Sequence, residues 1–130
     1  MANTEPFSLT RRAQSIRLAW RGLVAVARSQ HTAWIHACAS VVTIAAGLAL
    51  RLDTGEWALL VLAMAGVWAA EAFNTAIEVL GDAVASEDHP LVGMAKDAAA
   101  GGVLVTVGGA VAIGLLVFIP RALQALVHSG

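Results

Sequence analysis

Residues 98–119, AAAGGVLVTVGGAVAIGLLVFI, contain no charged side chain. At about 1.5 Å per residue, a helix of that length covers roughly 33 Å, the thickness of a bilayer's hydrocarbon core. Lipid supplies no hydrogen-bond partners, so such a segment must satisfy its own backbone, which a single segment does only as an α-helix. The composition agrees. Of 130 residues, 58% are hydrophobic and 13% charged, whereas an average soluble domain has about 25% charged residues. Mean hydropathy is +0.75. There are too few polar side chains to coat a soluble surface, so the chain is expected to be an all-α integral membrane protein in a single domain.

Two further apolar segments accompany this one. The spans are expected at about 33–50, 57–80 and 97–119, separated by a tight polar loop RLDTGE (51–56) and by a loop over 83–96 with Pro90 as its breaker. A segment at about 8–28 differs in kind. Ile16, Trp20, Leu23 and Ala27 recur at helical spacing, and Arg17, Arg21 and Arg28 recur on a neighbouring face. That is the pattern of a basic amphipathic helix lying in the membrane interface. MANTEPFSLT lacks the early apolar stretch of a cleaved signal peptide. The lone Cys38 is expected to be a small core residue.

Basic residues orient the chain. The first 34 residues hold five arginines and the 83–96 loop ends in Lys96, against Arg51 and Arg121 on the other side. The positive-inside bias places the N-terminus and the second loop in the cytoplasm and the C-terminus outside. Gly101 with Gly108, and Gly102 with Gly109, share a helix face, the kind of small-residue surface that lets helices approach closely in lipid. A homo-oligomer is expected from it.

Chemistry concentrates in EAFNTAIEVLGD, residues 71–82. On a helix with Glu71 at zero, Thr75 falls at roughly +40°, Glu78 at −20°, Asp82 at +20° and Asn74 at −60°. One face is therefore a polar ladder. Glu71 lies about 21 Å along the helix from Trp57, inside the hydrocarbon. Burying an acid there costs on the order of 2.5–3.5 kcal/mol, and an intramembrane acid is by default a functional group. Glu71 therefore suits a base that accepts a proton within the membrane. Glu78 and Asp82 lie at the water boundary, followed by Glu87 and Asp88, with Lys96 and Asp97 beyond the loop. Carboxylates at a boundary suit Mg²⁺, which combines a few of them with phosphate oxygens and water. Lys96 suits a polyphosphate, and Asp97 suits either that site or the cap of the third helix. His89 reads as a turn residue. No Walker-type glycine loop is present, so a nucleotide site has to be built otherwise. A small proton- or ion-coupled transporter centred on Glu71, or a non-catalytic membrane assembly protein, are the alternatives from other classes.

EAFNTAIEVLGD followed by HPLVGMAKDAAAGGV resembles the small prokaryotic diacylglycerol kinase and undecaprenol kinase family. The family pattern E-x-x-N-T/S-A-I-E-x-x-x-D, then A-K-D-x-x-A, is matched throughout 71–100, and HPL…AKDAAAG with GLLVFIPRA looks closer to the undecaprenol kinase branch. The resemblance implies a homotrimer in the bacterial inner membrane, its active sites between subunits at the cytoplasmic face. It implies transfer of the γ-phosphate of ATP to a membrane lipid alcohol with Mg²⁺. Undecaprenol is the first candidate and diacylglycerol the alternative; no nucleic acid is expected as a partner. By the same resemblance Glu71 matches the catalytic base and Asn74 its neighbour at the reacting hydroxyl. Glu78 matches a metal ligand, Asp82, Lys96 and Asp97 match residues at the nucleotide, and Arg11 matches a basic nucleotide contact.

There is one departure. Where the family commonly has E-x-N-x-x-x-H, this chain has Gln30 and Thr32 before His36. The family glutamate is the second metal carboxylate; Gln30 keeps an oxygen but brings no charge, so metal affinity is expected to fall unless another acid, Glu87 or Asp88, substitutes. Gln30→Glu is expected to lower the Mg²⁺ concentration needed for half-maximal activity, and a Mg²⁺ titration identical to that of the natural chain would remove Gln30 from the metal site.

Overall fold

The computed structural model describes residues 8–29, 31–85 and 89–128; Gln30, Glu87 and Asp88 lie outside the described residues. The described residues form four α-helices: α1 Leu9–Ser29, α2 His31–Ala49, α3 Thr54–Val84 and α4 Pro90–His128. Three of these, over Thr32–Ala49, Thr54–Val84 and Pro90–Val127, are long and apolar enough to cross a membrane.

α3 and α4 pack as an antiparallel hairpin, with the closest approaches at small residues. A Cβ on Gly81 would lie 2.8 Å from Cε of Lys96 and 2.9 Å from Cγ1 of Val92. Midway, a Cβ on Gly66 would lie 3.5 Å from Cγ2 of Thr106. At the far end Leu60 of α3 and Val117 of α4 form a buried cluster with Leu52, flanked by Leu50, Trp57, Ile113 and Phe118. The aliphatic core therefore sits at the end of the hairpin away from the α3–α4 loop.

Local chemistry makes both loops shorter than the residue pattern suggests. α2 closes through paired bonds from the Leu52 amide to the Gly47 carbonyl (3.1 Å) and from the Arg51 amide to Leu48 (3.3 Å). This is a Schellman arrangement, with Arg51 in the left-handed position (φ 52°) that glycine usually fills. Asp53 then caps α3: its side chain accepts from the Glu56 amide at 3.0 Å, and its own amide donates to the Glu56 carboxylate at 2.8 Å. This reciprocal box makes Thr54–Glu56 the first turn of α3 rather than loop. The Glu56 amide is also the main reason the Asp53 carboxyl is held below its ordinary range; desolvation opposes it, while the Gly55 amide and the Arg121 charge reinforce it. Arg121 closes the same end, donating from Nε to Glu56 at 2.7 Å and from a terminal nitrogen to Asp53 at 2.9 Å.

At the other end the expected 83–96 loop shrinks. α3 continues through Val84 and α4 begins at Pro90. Proline opens the helix instead of breaking it, because the first turn needs no amide from it, and the His89 carbonyl accepts from Gly93 at 3.0 Å. Asp97 therefore lies a full two turns inside α4 and does not cap it. α4 also continues through Pro120 to His128. Cys38, expected in a core, is exposed on the single chain.

Gly47 is the tightest point beneath the α2–α3 turn, since a Cβ there would meet the Trp57 ring at 2.8 and 2.9 Å and Leu52 Cδ1 at 3.1 Å. Both neighbours belong to the core cluster or its flank and cannot simply swing away. Gly47→Ala is expected to cost about 1–3 kcal/mol through overpacking, measured as a lowered thermal midpoint in detergent or bilayers; an unchanged midpoint would show that Trp57 moves freely.

Candidate active site

Glu71 sits on α3 opposite His36 of α2. It is only 2% exposed, and Asn74 and Thr75 beside it are buried as well. Its Oε2 lies 3.9 Å from Nε2 of His36 on α2. That is beyond hydrogen-bond length and close enough for electrostatic contact. Oε1 of Glu71, Oδ1 of Asn74 and Oγ1 of Thr75 are buried with no hydrogen-bond partner in the chain. An unsatisfied buried polar atom costs about 1–3 kcal/mol. Three within five residues, on the face the helical arithmetic picks out, mark a place built to meet something from outside the chain.

The ladder continues toward the water. Nδ2 of Asn74 donates to Glu78 at 3.1 Å, which fixes which way the amide points and leaves its carbonyl oxygen toward the buried side. One turn further, Lys96 of α4 meets Asp82 of α3 at 2.5 Å. The close packing of Lys96 on Gly81 explains why that ammonium reaches α3: without a side chain at 81, the lysine stem crosses directly over it. The structure thus brings Glu71, Asn74, Glu78, Asp82 and Lys96 onto one strip spanning about 16 Å of α3. Asp97 is exposed on the adjoining face of α4 and does not join the Lys96–Asp82 pair. Arg11 lies in the first turn of α1.

Among the described residues no group of three His, Cys, Asp or Glu side chains could hold a metal ion. The donors on the strip are hard oxygens, with carboxylates at 71, 78 and 82 spaced one to two turns apart. They suit Mg²⁺ carried with nucleotide phosphates and water, not an ion caged by protein alone.

Two features were not singled out from the residue pattern. The first is a network that starts at His36: its carbonyl accepts from Ser40 Oγ at 2.8 Å, and Trp68 Nε1 of α3 donates to that same Oγ at 3.3 Å. The only trace in the sequence is a histidine and a serine four apart in an apolar helix. The second is a half-open groove of about 330 Å³ between α2, α3 and α4, running from His36 and Ser40 past Val67 and Val111 to Phe118. Its walls are almost wholly apolar.

A family model described as prokaryotic diacylglycerol kinase matches residues 17–118, most of the chain and the whole strip. The chain belongs to that family. Among curated proteins, the undecaprenol kinase of Bacillus subtilis is 38% identical over 103 residues, 79% of this chain and 84% of that protein. The diacylglycerol kinase of a Synechocystis species is 34% identical over 114 residues, 87% of this chain and 65% of that protein. This protein is therefore a lipid kinase. Arg11 and Arg121 both fall outside the span matched by the family model.

A substitution at Lys96 separates what its pair with Asp82 contributes to stability from the nucleotide contact expected of it. Asp82 is 69% exposed and Lys96 33%, and exposed ion pairs contribute about 0–1 kcal/mol. Lys96→Met keeps the stem packed on Gly81 and removes only the charge. It is expected to leave the thermal midpoint nearly unchanged while raising the KM for nucleotide roughly 10–100-fold, the loss of one charge-assisted contact. A fall in stability with unchanged KM would make the pair structural.

Proposed function

We propose that this kinase transfers the γ-phosphate of ATP to the hydroxyl of undecaprenol, giving undecaprenyl phosphate, with diacylglycerol as the alternative acceptor. The observation that carries the reading is Glu71, buried with one oxygen unpartnered and about 10 Å along α3 from Glu78. A lipid hydroxyl reaches Glu71 from the bilayer, and a nucleotide reaches Glu78 from water. Undecaprenol is preferred because the undecaprenol kinase relative has the higher identity of the two and is covered over more of its length.

In this reading Oε1 of Glu71 takes the hydroxyl proton, the lipid oxygen forms its bond to the γ-phosphorus, and the bond from that phosphorus to ADP breaks. Asn74, its amide held by Glu78, orients the hydroxyl. Lys96, with Asp82, Asp97 and Arg11, binds the nucleotide. Glu78 and Gln30 would hold Mg²⁺, which supplies neutralisation of phosphate charge. Phosphoryl transfer asks little else of a protein than positioning and charge compensation, which suits a chain of 130 residues. The apolar groove beside His36 accommodates part of a hydrocarbon chain.

Three further points belong to the same proposal. α1 lies on the cytoplasmic membrane surface: Ile16 and Trp20 are 71% and 67% exposed, so the rest of the chain does not cover their apolar stripe, and lipid would. The protein is a homotrimer: a Cβ at Gly101, Gly102, Gly108 or Gly109 would meet nothing within 4 Å, which leaves that face of α4 open to a second copy. It resides in the bacterial inner membrane with its N-terminus and active site toward the cytoplasm, the orientation that the arginine distribution supports.

The test is transfer of label from γ-labelled ATP into organic-extractable lipid, with undecaprenol and diacylglycerol supplied separately in the same vesicles. The expected result is a higher kcat/KM for undecaprenol; a higher value for diacylglycerol reverses the acceptor assignment. Glu71→Gln is expected to lower kcat by about 10²–10⁴-fold, the usual worth of a general base, in a protein that still assembles. Turnover at the natural rate would remove Glu71 as the base.

A further inference from the structure

The two oxygens of Glu71 face different surroundings. Oε2 looks across to His36 Nε2 at 3.9 Å, while Oε1 is buried and without a partner. Among the described residues, His36 is the basic group within ion-pair distance of this carboxyl. His36 is itself well placed to hold a position. Its side chain is only 14% exposed. Its turn of α2 is tied to α3 through Ser40 and Trp68, and Trp68 lies one helical turn from Glu71. The imidazole also lies with Ser40 at one end of a largely apolar groove, so lipid chains would shield the pair from water.

We propose that His36 is a positioning residue for Glu71, an inference that rests on the reading of Glu71 as base. Nε2 anchors Oε2, and that anchoring turns Oε1 toward the lipid hydroxyl. A carboxylate free to rotate about its last bond presents either oxygen to the substrate and aligns neither. One held by a neighbour on a second helix presents a single oxygen at a fixed angle. The 3.9 Å separation is the open form of this contact, since catalytic hydrogen bonds are often long before substrate arrives and tighten in the complex. The interaction acts on the alignment of proton transfer, so its loss falls on kcat and not on substrate binding.

The experiment compares His36→Gln with His36→Met, two side chains of similar length, of which only glutamine donates a hydrogen bond. Full kinetics in vesicles are measured for both variants, with Val42→Ala, on the exposed side of α2 and outside the groove, as a packing control. The expected result is a fall in kcat of about tenfold or more for His36→Met, with the KM values for ATP and lipid within about twofold of the natural chain. His36→Gln recovers much of that loss, and Val42→Ala is unaffected. The proposal is overturned if His36→Met keeps the natural kcat, if the loss falls in KM, or if His36→Gln is as slow as His36→Met. Failure of both His36 variants to assemble also overturns it, because His36 is then a packing residue. Glu71→Gln in the same assay separates the two levels. An active Glu71→Gln overturns both this inference and the base assignment; an inactive Glu71→Gln beside an unaffected His36→Met overturns this inference alone.

Discussion

Lipid offers a carboxyl group nothing to bond with, so whatever stabilises Glu71 must come from the protein or from a substrate. Much of the arrangement around α3 follows from that. The chain supplies one oxygen of Glu71 with a neighbour on α2 and leaves the other without one, together with the carbonyl of Asn74 and the hydroxyl of Thr75. A helix built only for stability would carry alanine or leucine at these positions. Three buried polar atoms without a partner in the chain need one from outside it, which a polar ligand would supply.

The length of α3 gives the site its two-phase character. Its 31 residues span about 46 Å, more than the hydrocarbon core, so one rigid element is long enough to hold Glu71 within a membrane and Asp82 beyond it. Rigidity matters because phosphoryl transfer depends on placing a lipid-borne hydroxyl against a water-borne phosphate. α4 contributes by proximity: the absent side chain at Gly81 lets Lys96 cross to Asp82. At the opposite end Arg121 binds Asp53 and Glu56, so ion pairs bridge the hairpin at both ends while aliphatic packing holds it near one of them.

Much of this is legible from residue order. A 3.6-residue period is a local property, so the polar face of 71–82 and its depth follow from counting, and the family pattern over 71–100 identifies a lipid kinase before any coordinates are considered. The loop lengths were misread for a local reason too. Polar residues at 54–56 and a proline at 90 look like loop by composition, yet a capping box and a first-turn proline are what a helix start requires. Cys38 is exposed on the single chain because an apolar neighbourhood in sequence does not by itself distinguish a core face from an open one.

The sequence by itself determined that the chain is helical, that three helices are long and apolar enough to cross a membrane, and that acids, an amide and a threonine share one face of one of them. All of this rests on lengths and periods within single segments. Only the tertiary structure decided that His36, thirty-five residues earlier, faces Glu71, that Lys96 pairs with Asp82 while Asp97 turns aside, and that Ser40 and Trp68 join α2 to α3. Each of these depends on how far one helix is rotated about its axis relative to another. That rotation is set by the fit of small and large side chains from distant parts of the chain, and in helices that are apolar on nearly every side, hydrophobic periodicity carries almost no record of it.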